Sequence, residues 1–119
     1  MTKARLQTGQ TGEQLACEFL EKLQYRLLER NFRCPLGEID IIAHQGEYLV
    51  FCEVKTRKGA GAIHPTAAIT PKKIRKLRQL GLFYIQQKSL HQWQPRFDVI
   101  AIQLQHNKSP EIEHFINAL

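Results

Sequence analysis

Four charged residues interrupt two adjacent hydrophobic segments of this 119-residue chain. They are Glu38 and Asp40 in "GEIDIIAHQ" and Glu53 and Lys55 in "YLVFCEVKT". Neighbouring carboxylates repel one another, and a divalent cation between them turns that repulsion into affinity. Their hard oxygen atoms suit Mg²⁺ or Mn²⁺, and an adjacent lysine suits the stabilisation of anionic charge. The residue types therefore predict metal-assisted phosphodiester hydrolysis, if the fold brings them together.

The two segments predict consecutive strands of a β-hairpin, because both are rich in β-branched and aromatic residues. We expect a two-residue turn at Gln45-Gly46. That register places Glu38 opposite Glu53 and Asp40 opposite Phe51. Because alternate residues of a strand share a face, the acids and the lysine then project from one face of the sheet. The alternative is a solvated strand face that carries salt bridges and no chemistry.

Basic residues are concentrated in the middle of the chain, whose formal net charge is +6. Residues 54–97 include no Asp or Glu. Arg57 and Lys58 directly follow the second hairpin strand. Lys72 and Lys73 open a later helix, where cations oppose the helix dipole and a bound anion would relieve the conflict. We expect these four residues to contact DNA phosphates, the alternative being a solvated basic surface.

Other segments predict the elements that position these residues. A helix capped by Thr8 or Thr11 and running to about Leu23 carries Glu13 at the edge of its apolar stripe. A strand over 25–33 precedes the hairpin.

The second half of the chain predicts a helix and at least one further strand. Thr70 caps this helix and Pro71 occupies its first turn. "RFDVIAIQL" predicts a central strand, whereas "EIEHFINAL" fits either a strand or a short helix. The order α-β-β-β-α-β predicts one mixed-sheet α/β domain over residues 1–119, with helices bracketing the sheet.

Composition excludes several classes of protein. The chain is 43% hydrophobic and 24% charged, as is typical of a globular domain. It lacks an apolar run long enough to span a membrane, and its first residues lack the apolar core of a signal peptide. We therefore expect a cytoplasmic protein without a membrane partner. Cys17, Cys34 and Cys52 are too scattered for a disulfide framework or a zinc motif.

A wider pattern resembles a known family. Asp40, followed after twelve residues by Glu53-Val54-Lys55, matches the D…E-x-K signature of the PD-(D/E)xK nuclease superfamily. The segments "TGQTGEQLACEFL", "RNFRCPLGEIDIIA", "LVFCEVKTRK", the Lys72-Lys73 helix start and "RFDVIAI" follow in order. Over about residues 8–103 the chain resembles the YraN-like family of small bacterial proteins, which is similar to archaeal Holliday-junction resolvases.

This resemblance implies a restriction-endonuclease-like fold and a metal-dependent endonuclease that acts on branched or structured DNA. It implies Asp40, Glu53 and Glu13 as ligands of Mg²⁺ or Mn²⁺, and Lys55 as the catalytic lysine. Glu38 either supports those ligands or pairs with a nearby arginine. A homodimer is expected by analogy with the resolvases, because a junction offers two equivalent strands. A non-enzymatic nucleic-acid-binding module, or an adaptor that keeps the fold, is the alternative.

Overall fold

A five-stranded sheet with a helix on each face is formed by the described residues, which are 3–59 and 70–118 of this computed structural model. Side chains are described from residue 10 onward. The elements are α1 (Lys3–Lys22), β1 (Arg26–Cys34), β2 (Gly37–Gln45), β3 (Tyr48–Lys58), α2 (Pro71–Lys88), β4 (Gln94–Leu104) and β5 (Glu111–Phe115). The strands lie in the order β1-β2-β3-β4-β5. β3 and β4 run parallel, and the other neighbouring strands run antiparallel.

The two faces of the sheet carry separate apolar clusters. Alternate residues of β3 divide between them, as the period of two in a strand requires. Val50 and Cys52 pack with α1, whereas Leu49 and Phe51 pack with α2. The prediction of a mixed α/β fold with bracketing helices is confirmed, and the C-terminal segment that fitted two structures is the strand β5.

The cap predicted for the second helix is correct, and the cap predicted for the first helix is wrong. Thr70 caps α2, because its Oγ1 accepts a hydrogen bond from the Lys73 N–H at 3.2 Å, and Pro71 starts the helix. The expected cap of α1 at Thr8 or Thr11 is wrong, because α1 already begins at Lys3. Threonine is tolerated inside a helix, so a cap-forming residue type does not by itself fix a boundary. Within the described residues, no helix is long and apolar enough to cross a membrane.

The hairpin turn lies one residue later than predicted. Gln45 pairs with Tyr48, so the loop is Gly46-Glu47. Gly46 has φ +57° at the first loop position, where a type II′ hairpin turn favours glycine. The later turn moves the register by two residues, which keeps the side chains of the paired residues 41–45 and 48–52 on their expected faces. Extended along the strands, this register brings Asp40 level with Glu53.

Candidate functional site

β2 and β3 separate at one end, and the acidic residues lie where they part. The pairing of these two strands ends at Ile41 and Cys52. Beyond that point β2 continues along β1, and β3 continues along β4. We call this opening the fork, with residues 37–40 as its β2 arm and residues 53–58 as its β3 arm. Backbone groups that would otherwise form the sheet ladder therefore become available to side chains.

Asp40 closes the base of the fork. Its Oδ2 accepts a hydrogen bond from the backbone N–H of Val54 at 2.8 Å, across the gap where the ladder has ended. The alternation of β2 slips at this residue, because Ile39 packs with α2 and Ile41 packs with α1. A regular strand would put both isoleucines on one face. The slip and the hydrogen bond together direct the carboxylate of Asp40 toward β3.

The electrostatic surroundings of Asp40 are unfavourable for its charge. Burial raises the pKa of the Asp40 carboxyl, and the charge of Glu53 raises it further, to about 7. The hydrogen bond from Val54 acts in the opposite direction, and the charges of Glu13 and Glu38 make smaller contributions that raise the pKa. Asp40 therefore lies in a negative field that a bound cation would relieve.

Lys55 pairs with the second acid of the fork. Its Nζ lies 3.2 Å from Oε1 of Glu53, and both side chains are about one quarter exposed. Among the side chains that the structure describes, those of residues 10–59 and 70–118, no cationic group lies within salt-bridge distance of Asp40. The lysine consequently offsets Glu53 and leaves the charge of Asp40 uncompensated.

Glu13 reaches the fork from α1. It is half-buried and follows Gly12, which lies directly against the β3 arm. A Cβ atom on Gly12 would collide with the Thr56 side chain, approaching its Cβ to 2.9 Å. This close packing brings the α1 turn that carries Glu13 beside the fork, and the charge of Glu13 acts on Asp40.

For Glu38, the expected pairing with a nearby arginine is confirmed, whereas the expected position opposite Glu53 is wrong. The expected pairing with Glu53 is wrong, because the two-residue change of register gives that place to Asp40. Glu38 instead forms an ion pair with Arg33, with 3.4 Å between Oε2 and Nε. Both side chains are exposed, so this pair contributes about 0–1 kcal/mol to stability.

The donors at the fork fit a magnesium-type ion only in part. Within the described residues, no three Asp, Glu, His or Cys side chains are grouped tightly enough to hold a metal ion. Mg²⁺, however, commonly binds through one or two carboxylates and completes its shell with water and substrate phosphates. Asp40 and Glu53 supply that number of carboxylates, and burial together with the charge of Glu53 raises the pKa of Asp40.

The predicted DNA-binding residues lie beside the fork. Lys72 and Lys73 are exposed in the first turn of α2. The next turn runs alongside the β2 arm, since Lys76 Cε would lie 3.6 Å from a Cβ on Gly37. The second turn of α2 therefore lies beside Gly37 of the β2 arm, and the turn that carries Lys72 and Lys73 directly precedes it in the helix.

Arg57 and Lys58 lie on the β3 arm itself. Arg57 is half-buried and lies on the same face of β3 as Glu53 and Lys55, because alternate residues of a strand share a face. Lys58 is exposed. The Nε atom of Arg57 is buried, and no hydrogen-bond partner for it occurs among the residues that the structure describes. A buried donor of this kind gains from an acceptor such as a phosphate oxygen.

Asp98 is the centre of a buried charge network that includes its near neighbour Arg96. Asp98 is fully buried; its Oδ1 accepts from Arg96 Nε at 3.1 Å and from the Asn117 N–H at 2.8 Å. Its Oδ2 lies 2.9 Å from Arg96 Nη2 and 2.7 Å from His114 Nε2. Arg96 Nη2 also donates to the Tyr25 hydroxyl at 2.7 Å.

These contacts explain the ionisation of Asp98. Burial alone raises the pKa of this carboxyl, but the hydrogen bonds from His114 and Arg96 more than reverse the effect, so the pKa is lowered. The network ties β5 and the start of β1 to β4 and has a structural role. In the sequence, the network is indicated only by an arginine and an aspartate two residues apart in an apolar strand. The other members of the network, Tyr25, His114 and Asn117, are distant in sequence from Asp98.

The fold and the fork define a mixed α/β protein with an acidic site at a strand junction. The family model of "Uncharacterised protein family UPF0102" matches residues 12–102. The chain is 47% identical over 110 residues to the UPF0102 protein GSU0650 of Geobacter sulfurreducens, covering 92% of this chain and 86% of the relative. It is 42% identical over 113 residues to a UPF0102 protein of Rhodococcus opacus, covering 95% and 96%.

The chain belongs to the UPF0102 family. The resemblance to YraN-like proteins is thereby confirmed. The family is described as uncharacterised, so membership by itself carries no activity to this chain.

Proposed function

We propose that this protein is a metal-dependent endonuclease that hydrolyses phosphodiesters of branched or structured DNA in the cytoplasm. The observation that carries the proposal is the fork, where Asp40 lies in the field of Glu53 and Lys55 pairs with that glutamate. The succession of elements, with a helix on each face of the sheet, supports a restriction-endonuclease-like fold.

We assign Asp40 and Glu53 as the residues that would hold Mg²⁺ or Mn²⁺, with Glu13 joining directly or through water. When bound, such an ion polarises a phosphoryl oxygen and lowers the pKa of coordinated water. The Val54 N–H keeps the Asp40 carboxylate oriented toward β3.

Lys55 is assigned to the stabilisation of charge on the phosphate during hydrolysis. Its Nζ lies 3.2 Å from Glu53 Oε1 and retains further hydrogen-bond donors for a phosphate oxygen. A donor held in position before the reaction stabilises developing charge without a cost for reorganisation.

The basic residues beside the fork are proposed to bind DNA phosphates on either side of the bond that is cut. They are Arg57, Lys58, Lys72 and Lys73. Phosphate contacts of this type position the duplex without reading its sequence. We also propose a homodimer, because a branched junction offers two equivalent strands.

The test is a cleavage assay on end-labelled DNA with Mg²⁺, Mn²⁺ or EDTA. The substrates are a four-way junction, a flap, a nicked duplex, a linear duplex and a single strand. We expect the wild type to cut the branched DNAs in either metal and none in EDTA. Glu53→Gln and Lys55→Ala should each lose at least about a hundredfold in rate. Glu47→Gln, which removes an exposed acid at the opposite end of the hairpin, should cleave like the wild type.

A second candidate is a DNA-binding module without catalytic activity. The ion pair between Glu53 and Lys55 favours it, as does the lack of three grouped metal ligands within the described residues. This alternative predicts binding to branched DNA that is equal in Mg²⁺ and EDTA, with intact substrate after prolonged incubation.

A further inference from the structure

A groove runs between α1 and the edge strand β1, outside the fork. It has a volume of about 830 Å³, within the range of pockets that hold small molecules. Arg30 and Asn31 line it from β1, and Gln14 and Glu18 line it from α1. The groove therefore offers a guanidinium, two amides and one carboxylate, and the Nε2 of Gln14 donates to Oε1 of Glu18 at 3.3 Å.

Its position follows from the register of the sheet. Arg30 pairs with Ile41 and Phe32 pairs with Ile39. Asn31 consequently lies level with Asp40 on the neighbouring strand, about 4.8 Å away in backbone spacing. The groove begins one strand from the base of the fork.

Arg30 is held in place without being neutralised. Its Nη1 donates to Gln14 Oε1 at 2.6 Å, and its Nη2 makes a longer contact of 3.5 Å to the backbone oxygen of Gln10. Both acceptors are uncharged, and in the described part of the chain no carboxylate lies within salt-bridge distance of Arg30. A guanidinium has five N–H donors, so an oriented cation with donors to spare faces the groove.

Asn31 adds an exposed amide at the same place. Its backbone φ of +55° is uncommon for a residue inside a strand, and the β1–β2 pairing skips this position. The exposed amide can both donate and accept hydrogen bonds, as the edges of nucleic-acid bases do.

We infer that this groove binds an unpaired nucleotide strand adjoining the fork, with Arg30 holding a phosphate, Gln14 orienting Arg30, and the amide of Asn31 contacting the bases. An unpaired strand offers phosphates and base edges together to a concave surface, whereas a duplex exposes its base edges only within its own grooves. The inference rests on the proposed function and predicts that, among branched DNAs, those with a single-stranded arm bind more tightly.

Binding measured by fluorescence anisotropy in EDTA tests the inference. Two labelled DNAs share one hairpin duplex, and one of them carries a short unpaired arm. We expect Arg30→Ala to lower the affinity for the armed DNA about tenfold and to change that for the blunt DNA less than about twofold. Arg26→Ala, an exposed arginine of β1 outside the groove, should affect both DNAs equally and weakly.

Equal losses on both DNAs in Arg30→Ala, or no loss at all, would overturn the inference. Gln14→Ala provides a second variant on an exposed helix face, where folding is insensitive to truncation. It should reduce the preference for the arm about threefold, because Arg30 loses its 2.6 Å acceptor. An unchanged preference in Gln14→Ala would also count against the groove.

The same measurements separate this inference from the proposed function. Preference for the arm without cleavage in Mg²⁺ would reject the endonuclease and keep the groove. Cleavage without preference for the arm would reject the groove and keep the endonuclease. Failure of the wild type to bind either DNA would reject both.

Discussion

Asp40→Asn should make the metal-free protein more stable at alkaline pH. The substitution removes the charge but keeps the size of the side chain and an oxygen that can accept the Val54 N–H bond. In the folded protein the pKa of Asp40 is raised from the ordinary 3.8 to about 7, by burial first and by Glu53 second. Folding therefore favours the protonated form, and ionised Asp40 destabilises the native state.

The sign and size of the effect follow from linkage. The pKa of Asp40 is higher in the folded protein than in the unfolded chain, so protonation of Asp40 stabilises the folded state. This stabilisation is complete below about pH 4 and is lost as the pH rises from there through about 7. A rise from 3.8 to about 7 corresponds to at most about 4 kcal/mol. Partial exposure of Asp40 and residual structure in the unfolded chain reduce this to about 2 kcal/mol.

Urea denaturation in EDTA at pH 3.5 and pH 8 measures the difference between variant and wild type. We expect the two proteins to differ by less than about 0.5 kcal/mol at pH 3.5, below the unfolded pKa of Asp40, and Asp40→Asn to be about 2 kcal/mol more stable at pH 8. Glu47→Gln removes an exposed charge and should not change the pH dependence. An Asp40→Asn protein that is less stable than the wild type at pH 8 would refute the reasoning and indicate a structural role for the charge.

Three further outcomes are expected. Gly12→Ala should destabilise the protein by about 1–3 kcal/mol in urea, because its Cβ meets the Thr56 side chain, and Thr56→Gly should restore part of the loss. Asp98→Asn should cost about 3–5 kcal/mol by leaving Arg96 buried without its charge partner; since the pKa of Asp98 is lowered, the difference from wild type should shrink as the pH falls below about 4. Replacing four basic residues with Ala should make the plot of log binding constant against log salt concentration less steep by roughly 3–4, and should leave the melting temperature unchanged. These four are Arg57, Lys58, Lys72 and Lys73.

Local patterns were sufficient to predict most elements of the fold. The two hairpin strands follow from β-branched and aromatic composition, and the start of α2 follows from the Thr70-Pro71 pair. The prediction that the acids share one face is wrong, because the alternation of β2 slips at Asp40 and puts Glu38 on the face opposite to Ile39 and Phe51.

Two features of the site depend on tertiary structure. The end of pairing between β2 and β3 is decided by the strands on either side, so no local signal marks the fork. The slip in alternation at Asp40 was likewise unpredicted, because it is visible only in the opposite packing of Ile39 and Ile41. The sequence therefore indicated which residues could form the site, and the tertiary structure determines how they are placed relative to one another.

The rate of cleavage of a labelled four-way junction, measured with enzyme in excess over DNA and with increasing Mg²⁺, tests the central claim most directly. The account predicts that the wild type cuts with a rate that rises and saturates with Mg²⁺. Asp40→Asn, purified in parallel, should lose at least about a hundredfold while binding the junction in EDTA as tightly as the wild type or more tightly. Cleavage at equal rates by both proteins, or an intact junction with the wild type at every Mg²⁺ concentration, would contradict it.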